Sequence, residues 1–260
     1  MAHPVTFRLD RLVAQTTWLD EVDSTNRFLV DHPPQDGGHA VLSWNQTGGR
    51  GRLQREWVSA KNKSLALSVE LWRDRVPQPL TDQWRGSLSV VAGVCLAEAI
   101  HPFVDGEVSV KWPNDVLIDG GKVAGILGEI PSDTRVILGV GVNVWLDSDE
   151  LPTTRATSLS LHGLSDQASV GVIVESFLTK LRETLTHTVW GLQRDTLSWV
   201  TKNLHTIGQQ VRVDFPDGTS REAEATGIDP SGRLQVRFSD SDTSETIDAA
   251  DIWHLRQASA

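Results

Sequence analysis

"KWPNDVLIDGGKVAGILGE", residues 111–129, sets short apolar runs between two sharp turns. Pro113-Asn114 and Gly120-Gly121 are turn-forming pairs, and the runs "DVLID" and "KVAGILGEI" are rich in branched apolar residues, so the stretch reads as three strands joined by two turns. Lys111 ends the first strand, Asp115 begins the second and Lys122 begins the third. A meander of this kind brings Lys111, Asp115 and Lys122 to one edge of a sheet. Read alone, it is first of all ordinary turn chemistry with solvated lysines.

The flanking sequence extends the pattern. "RVILGVGVNVW" (135–145) predicts a further strand, and "LTDQWRGSLSVVAGVCLAEAI" (80–100) predicts a long buried helix stopped by His101-Pro102. "HAVLSW" (39–44) and "SLALSVELW" (64–72) read as strands around a polar loop, and Ser24, Thr25 and Asn26 are good N-cap residues for a helix over 24–32. Residues 146–166 form a polar connection, and 167–204 have the spacing of two helices separated near Gly191. From about residue 205 the character changes to short strands at close spacing, joined by "PDG", "DPSG" and "DSD" turns, which predicts a small all-β barrel. The expectation is an α+β protein: a mixed β-sheet with packed helices over residues 1–204 and a barrel over 205–260.

Composition narrows the function. With 39% hydrophobic and 22% charged residues the chain is an ordinary globular protein. No apolar run approaches the roughly 18 to 20 residues of a membrane span, and "MAHPVTFRLD" lacks the apolar stretch of a secretory signal, so a cytoplasmic location with no membrane partner is expected. The formal net charge of -10 argues against nucleic acid as the main partner. Cys95, the only cysteine, lies in an apolar run and reads as a buried structural thiol. The eight histidines lack metal-ligand spacing, so no metal held by protein ligands alone is expected.

Against that acidic background, "NQTGGRGRLQREW" (45–57) concentrates three arginines and three glycines. Gly48, Gly49 and Gly51 let backbone N–H groups approach an anion, and a planar guanidinium such as that of Arg52 can clamp a carboxylate or phosphate at two points. Lys122 would add a compact charge of the kind needed where a carboxylate attacks a phosphate. Such a reaction needs no strong base and runs on positioning and electrostatic stabilisation.

"DSTN", "NQTGGRGR", "KWPNDVLIDGGKVAGILGE" and "GVGVNV" stand in the order and spacing of the biotin protein ligases, and "GQQVRV", "ATGIDPSGRLQV" and "DIWHLR" resemble that family's C-terminal SH3-like barrel. The resemblance runs from about Asp23 to Arg256. It implies a class II synthetase-like catalytic domain and a two-step reaction. Biotin and Mg-ATP give biotinyl-5′-AMP and pyrophosphate, and a lysine of a biotin carboxyl carrier domain of a carboxylase then takes the biotinyl group. Carried over by position, the resemblance implies that Ser24, Thr25, Asn26 and Gln46 line the biotin end, Thr25 and Gln46 bonding the ureido ring. Arg50, Gly51 and Arg52 would close over the adenylate, with Arg52 on the activated carboxyl and α-phosphate. Arg55 and Trp57 would lie near the nucleotide, Trp57 stacking on adenine. Lys122 would bridge the biotin carbonyl and α-phosphate, Gly125 would permit close approach of the ligand, and Asp115 would orient charge or the incoming lysine. Lys111, Asn114 and Asn143 would support the adenylate or the strand ends that hold it.

Two departures stand out. Gln54 replaces a glycine of the family's "RGRxG" pattern, and only 22 residues precede "DSTN", too few for the DNA-binding domain of some relatives. A ligase without repressor function is expected. Alternatives are lipoate or octanoate attachment, a non-catalytic biotin sensor and a nucleic-acid-binding module. An exposed sheet edge could pair with a carrier domain or with a second subunit in a homodimer.

Overall fold

The structure, a computed structural model, describes residues 13, 15–33, 38–52, 55–72, 84–132, 135–187, 194–215, 217–241, 243–247 and 251–254. Gln54, Gly191 and residues 80–83 of the expected helix lie outside these. Seven strands form the larger sheet: β1 (Gln15–Leu19), β2 (His39–Ser43), β3 (Ser64–Trp72), β4 (Val108–Lys111), β5 (Asp115–Ile118), β6 (Gly121–Ser132) and β7 (Arg135–Asn143), in the order β1-β2-β3-β7-β6-β5-β4. β1 and β2 pair in parallel across α1 (Thr25–Asp31), and the other neighbours are antiparallel, so the sheet is mixed as expected.

The meander of residues 111–129 is present. Lys111 faces Asp115 across one turn, and Asp115 pairs with Gly125 across the other. β1 is an element the sequence pattern did not predict. Its residues, "QTTWL", are all at least partly exposed, so this edge strand has no apolar alternation to announce it.

α2 (Trp84–Ile100) is apolar around its middle because that stretch is buried all round: Val90, Val91, Ala92, Val94 and Cys95 have no exposed surface. Burial pushes the Cys95 thiol up to about 12, which removes it from thiolate chemistry at neutral pH. A Cβ on Gly93 of α2 would sit 3.1 Å from Val110 and 3.5 Å from Ile126, which identifies the sheet face that α2 covers. Ile126 pairs with Val140 and Ala124 with Val142, so this face of β6 and β7 is apolar. Alternation along a strand sends the intervening residues, Gly125, Leu127, Gly139 and Gly141, to the opposite face, the one on which α1 lies. α3 (Gln167–His187) packs on α2, and α4 (Arg194–Asn203) follows, the two expected helices. Among the described residues no helix is long and apolar enough to cross a membrane.

A five-stranded antiparallel sheet completes the chain, in the order β11-β10-β9-β8-β12. Its strands are β8 (Gln210–Asp214), β9 (Ser220–Ile228), β10 (Leu234–Phe238), β11 (Ser244–Ile247) and β12 (Asp251–His254). It is fastened directly to the turn between β4 and β5. Trp112, only 3% exposed, donates its indole N–H to the Gly232 carbonyl (2.8 Å) and its backbone N–H to the Thr206 hydroxyl (2.9 Å). Trp112→Phe keeps most of the buried ring but leaves the Gly232 carbonyl unpaired. We expect a loss of about 1–3 kcal/mol in urea denaturation. Unchanged stability would mean that packing alone holds the two sheets together.

Candidate functional site

Ser24 caps α1, its hydroxyl accepting the N–H of Arg27 (3.4 Å), so the expected helix start is correct and part of the hydroxyl's capacity is committed to the helix. The cap turns Thr25 and Asn26 inward, where both are buried. Gln46 reaches them from the basic loop. Its Oε1 accepts the Thr25 N–H (3.0 Å) and lies 3.2 Å from the Thr25 hydroxyl. Ser68, on β3 with no exposed surface, places its hydroxyl 2.7 Å from Thr25 Oγ1 and 2.6 Å from Asn26 Oδ1. One hydroxyl proton can serve only one of these oxygens, so acceptor capacity remains for a ligand N–H. Asn26 leans on Gly139, where a Cβ would fall 2.3 Å from its Oδ1.

The basic loop is stitched to the start of α1. Thr47 N–H donates to the Val22 carbonyl (2.9 Å) and Gly48 N–H to that of Asp23 (2.7 Å). Its described part folds back as a small hairpin: Gly51 N–H donates to the Arg55 carbonyl (2.7 Å), Trp57 N–H donates to that of Gly49 (3.0 Å), and Arg50 pairs with Glu56. Arg50 and Arg55 are exposed and Arg52 is half-buried. The hairpin delivers Trp57 to the glycine face of the sheet. A Cβ on Gly141 would come within 2.4 Å of the indole and one on Gly125 within 3.1 Å, so these two paired glycines make room for the ring.

Lys122, the second residue of β6, stands beside them. Its ammonium is 2.6 Å from Asp115 Oδ1 and 5.4 Å from the centre of the Trp57 ring, within reach of a cation–π contact. Its backbone is gripped by the 146–166 connection, donating to the Arg155 carbonyl (2.7 Å) and accepting from Thr157 N–H (2.9 Å). Asn143, at the end of β7, donates Nδ2–H to the Thr157 carbonyl (3.0 Å). Asn143 Oδ1, Trp57 Nε1, Ser59 Oγ and Ser64 Oγ are buried without a hydrogen-bond partner, and Ser64 stands opposite Asn143 in the sheet. Buried polar atoms left unpaired are unfavourable, and those of Asn143 and Ser64 at one strand end, with Trp57 packed on nearby Gly141, suit a ligand that carries both donors and acceptors.

The structure therefore groups the residues expected from the sequence into two linked sets. Thr25, Asn26 and Gln46 form one, with Ser24 at its margin, and Asp115, Lys122, Gly125, Trp57 and Asn143 form the other. Gly51, Arg50, Arg52 and Arg55 lie on the hairpin between them. Asn114 serves the turn: it donates Nδ2–H to the Ile126 carbonyl (2.8 Å), and its own carbonyl takes the Ile126 N–H (2.9 Å). Lys111 frames Asp115 through strand pairing. Ser68, Gly139 and Gly141 were not anticipated. The two glycines had a signal, since Gly139 and Gly141 at a spacing of two on one strand leave one face without side chains.

The chain matches two family models: the biotin/lipoate A/B protein ligase family over residues 18–144, and the biotin protein ligase C-terminal domain over residues 206–255. It is 32% identical to the biotin–[acetyl-CoA-carboxylase] ligase of Mycobacterium tuberculosis over 253 residues, covering 94% of this chain and 88% of that one. It is also 32% identical to the ligase of the same name from Paracoccus denitrificans, covering 84% of this chain and 92% of the other. The fold superposes on a point mutant of the Aquifex aeolicus biotin protein ligase in complex with biotin, with a TM-score of 0.77 at 25% identity, covering 93% and 99% of the two chains. The glycine face, the buried polar set at the start of α1 and the Lys122–Asp115 pair thus belong to a chain that is a member of the biotin protein ligase family.

Proposed function

We infer that this protein is an ATP-dependent ligase that activates biotin and transfers it to a lysine of a biotin carboxyl carrier domain. The biotin carboxylate attacks the α-phosphorus of ATP, the bond to the β-phosphate oxygen breaks, and biotinyl-5′-AMP and pyrophosphate form. The carrier lysine, as a neutral amine, then attacks the acyl carbon. AMP leaves and the amine loses a proton.

What supports this reading is one ammonium, that of Lys122, beside Asp115 and Trp57, together with a buried polar set suited to a ureido ring and unpaired polar atoms suited to a base. Thr25, Asn26, Gln46 and Ser68 would hold the ring. Lys122 would bridge the carboxylate and α-phosphate, with Arg52 closing over them from the hairpin. Trp57 would stack on adenine and Asn143 would bond its edge, with Arg55 beside the nucleotide. Asp115 keeps the Lys122 ammonium in position until anions arrive. Among the described residues no group of three or more His, Cys, Asp or Glu could hold a metal ion. Mg²⁺ fits as part of MgATP, where phosphates and water supply most of its ligands. In this reading residues 1–204 are the catalytic domain, and 205–260 form the barrel that backs the 111–115 turn.

The test is ATP–pyrophosphate exchange with purified protein and Mg²⁺, adding biotin or lipoate in turn. Biotin-dependent exchange is expected. Exchange with lipoate alone would move the activity to lipoate attachment, and none with either acid would favour a binding protein. Gly141→Ala probes the floor of the site. Its Cβ must displace the Trp57 indole, and we expect the KM for ATP to rise roughly tenfold, the effect of about 1.4 kcal/mol of overpacking. An unchanged KM would detach Trp57 from the nucleotide.

A further inference from the structure

Lys122 and Asn143 share a support that neither motif contains. Thr157 takes both: its N–H donates to the Lys122 carbonyl (2.9 Å), and its carbonyl accepts from Asn143 Nδ2 (3.0 Å). The Thr157 side chain is buried against β6, where a Cβ on Gly121 would lie 3.0 Å from its Cβ. Its hydroxyl meets His162 Nε2 at 2.8 Å. His162 sits in a short 3-10 turn, Ser160–His162, and its Nδ1 lies 3.7 Å from Asp119 Oδ2. Asp119 is itself fixed, because its Oδ1 accepts the Glu107 N–H (2.8 Å). A carboxylate beside Nδ1 favours the Nδ1–H tautomer, which leaves Nε2 to accept the Thr157 hydroxyl proton.

We propose that His162 is a positioning residue for adenylate formation, orienting Thr157 so that one peptide unit on each side of it fixes Lys122 and Asn143 together. The proposal rests on the ligase reading of the site. It assigns a role to the connection between β7 and α3, which contributes no side chain to the expected ligand contacts. The Thr25, Asn26, Gln46 and Ser68 set has no bond to Thr157 or His162, so its hold on biotin does not depend on this link.

The test uses His162→Ala, Thr157→Val, the double variant and His162→Gln in biotin-dependent ATP–pyrophosphate exchange. Thr157→Val keeps the shape and both backbone bonds and removes only the hydroxyl. Each single variant should lower kcat/KM for ATP roughly five- to tenfold, as for loss of one hydrogen bond, with the KM for biotin unchanged. The double variant should be no worse than either single, because both cut the same link. His162→Gln, which still offers an acceptor, should recover most of the activity. Wild-type values in both single variants would overturn the proposal, as would additive losses in the double variant or a parallel rise in the KM for biotin. Absence of exchange in the wild-type protein would instead refute the ligase reading itself.

Discussion

Lys122→Ala should slow formation of biotinyl-5′-AMP by roughly two to three orders of magnitude, the effect of removing one preorganised electrostatic donor from a shielded site. The ammonium is held from three directions. Asp115 lies 2.6 Å away, the Trp57 ring centre 5.4 Å away, and the backbone is bonded to Arg155 and Thr157 on either side. A group already in place loses little freedom when the reaction needs it, so most of its attraction is available to the developing charge. Its removal also leaves the Asp115 carboxylate facing a second carboxylate and a phosphate, which turns a neutral pair into a repulsive one. Single-turnover adenylation with saturating ATP and biotin measures the first step. Transfer from supplied biotinyl-AMP measures the second, and it should suffer less because the anhydride is already formed. Wild-type adenylation would remove Lys122 from the chemistry.

Arg135→Met should lower folding stability by about 3–5 kcal/mol, although Arg135 lies outside the polar set around Lys122. Glu70 on β3 is 1% exposed, and Arg135 at the start of β7 is its ion-pair partner through Nε. The same guanidinium donates from Nη2 to the Leu29 carbonyl (2.7 Å), tying the last turn of α1 to the sheet. Without Arg135 a buried carboxylate is left uncompensated. Converting both residues, Glu70→Leu with Arg135→Met, should restore stability to within about 1 kcal/mol of wild type, since apolar replacement of a buried pair is often neutral. Urea denaturation distinguishes the two. A single variant as stable as wild type would show that Glu70 has another way to be satisfied.

The parts of the fold that could be read from the sequence share one property: their residues are shaped by local geometry. Pro113-Asn114 and Gly120-Gly121 mark turns wherever they stand, His101-Pro102 stops a helix, and the period-two runs after residue 205 are strands in any context. The expected Lys122–Asp115 proximity followed from such a turn. What escaped was set by partners distant in sequence. Arg135 at a strand start looks like a solvated arginine until Glu70 and Leu29 are beside it. Ser68 is one of two serines in "SLALSVELW", distinguished only by the two side chains of α1 that converge on it. β1 owes its existence to pairing with β2, and His162 acts through Thr157, a contact that no motif encodes. Residue types therefore pointed to a candidate site, and the contacts that support it became visible only in three dimensions.

The order β1-β2-β3-β7-β6-β5-β4 has a consequence for how the protein comes together. β1 to β3 and β4 to β7 are two locally paired halves, and they join along a single seam, β3 against β7, whose strands lie far apart in the chain. Pairings between distant segments form slowly. The polar set proposed to hold the ring is built across that seam: Thr25, Asn26 and Ser68 come from the early half, and Asn26 rests on Leu127 and Gly139 of the late one. The pocket therefore does not exist until the halves have met, and a molecule bound there holds them together by mass action. A substrate bound to that set would also brace the joined halves, so cells short of it are expected to hold less of the intact protein as well as less of the reaction's product.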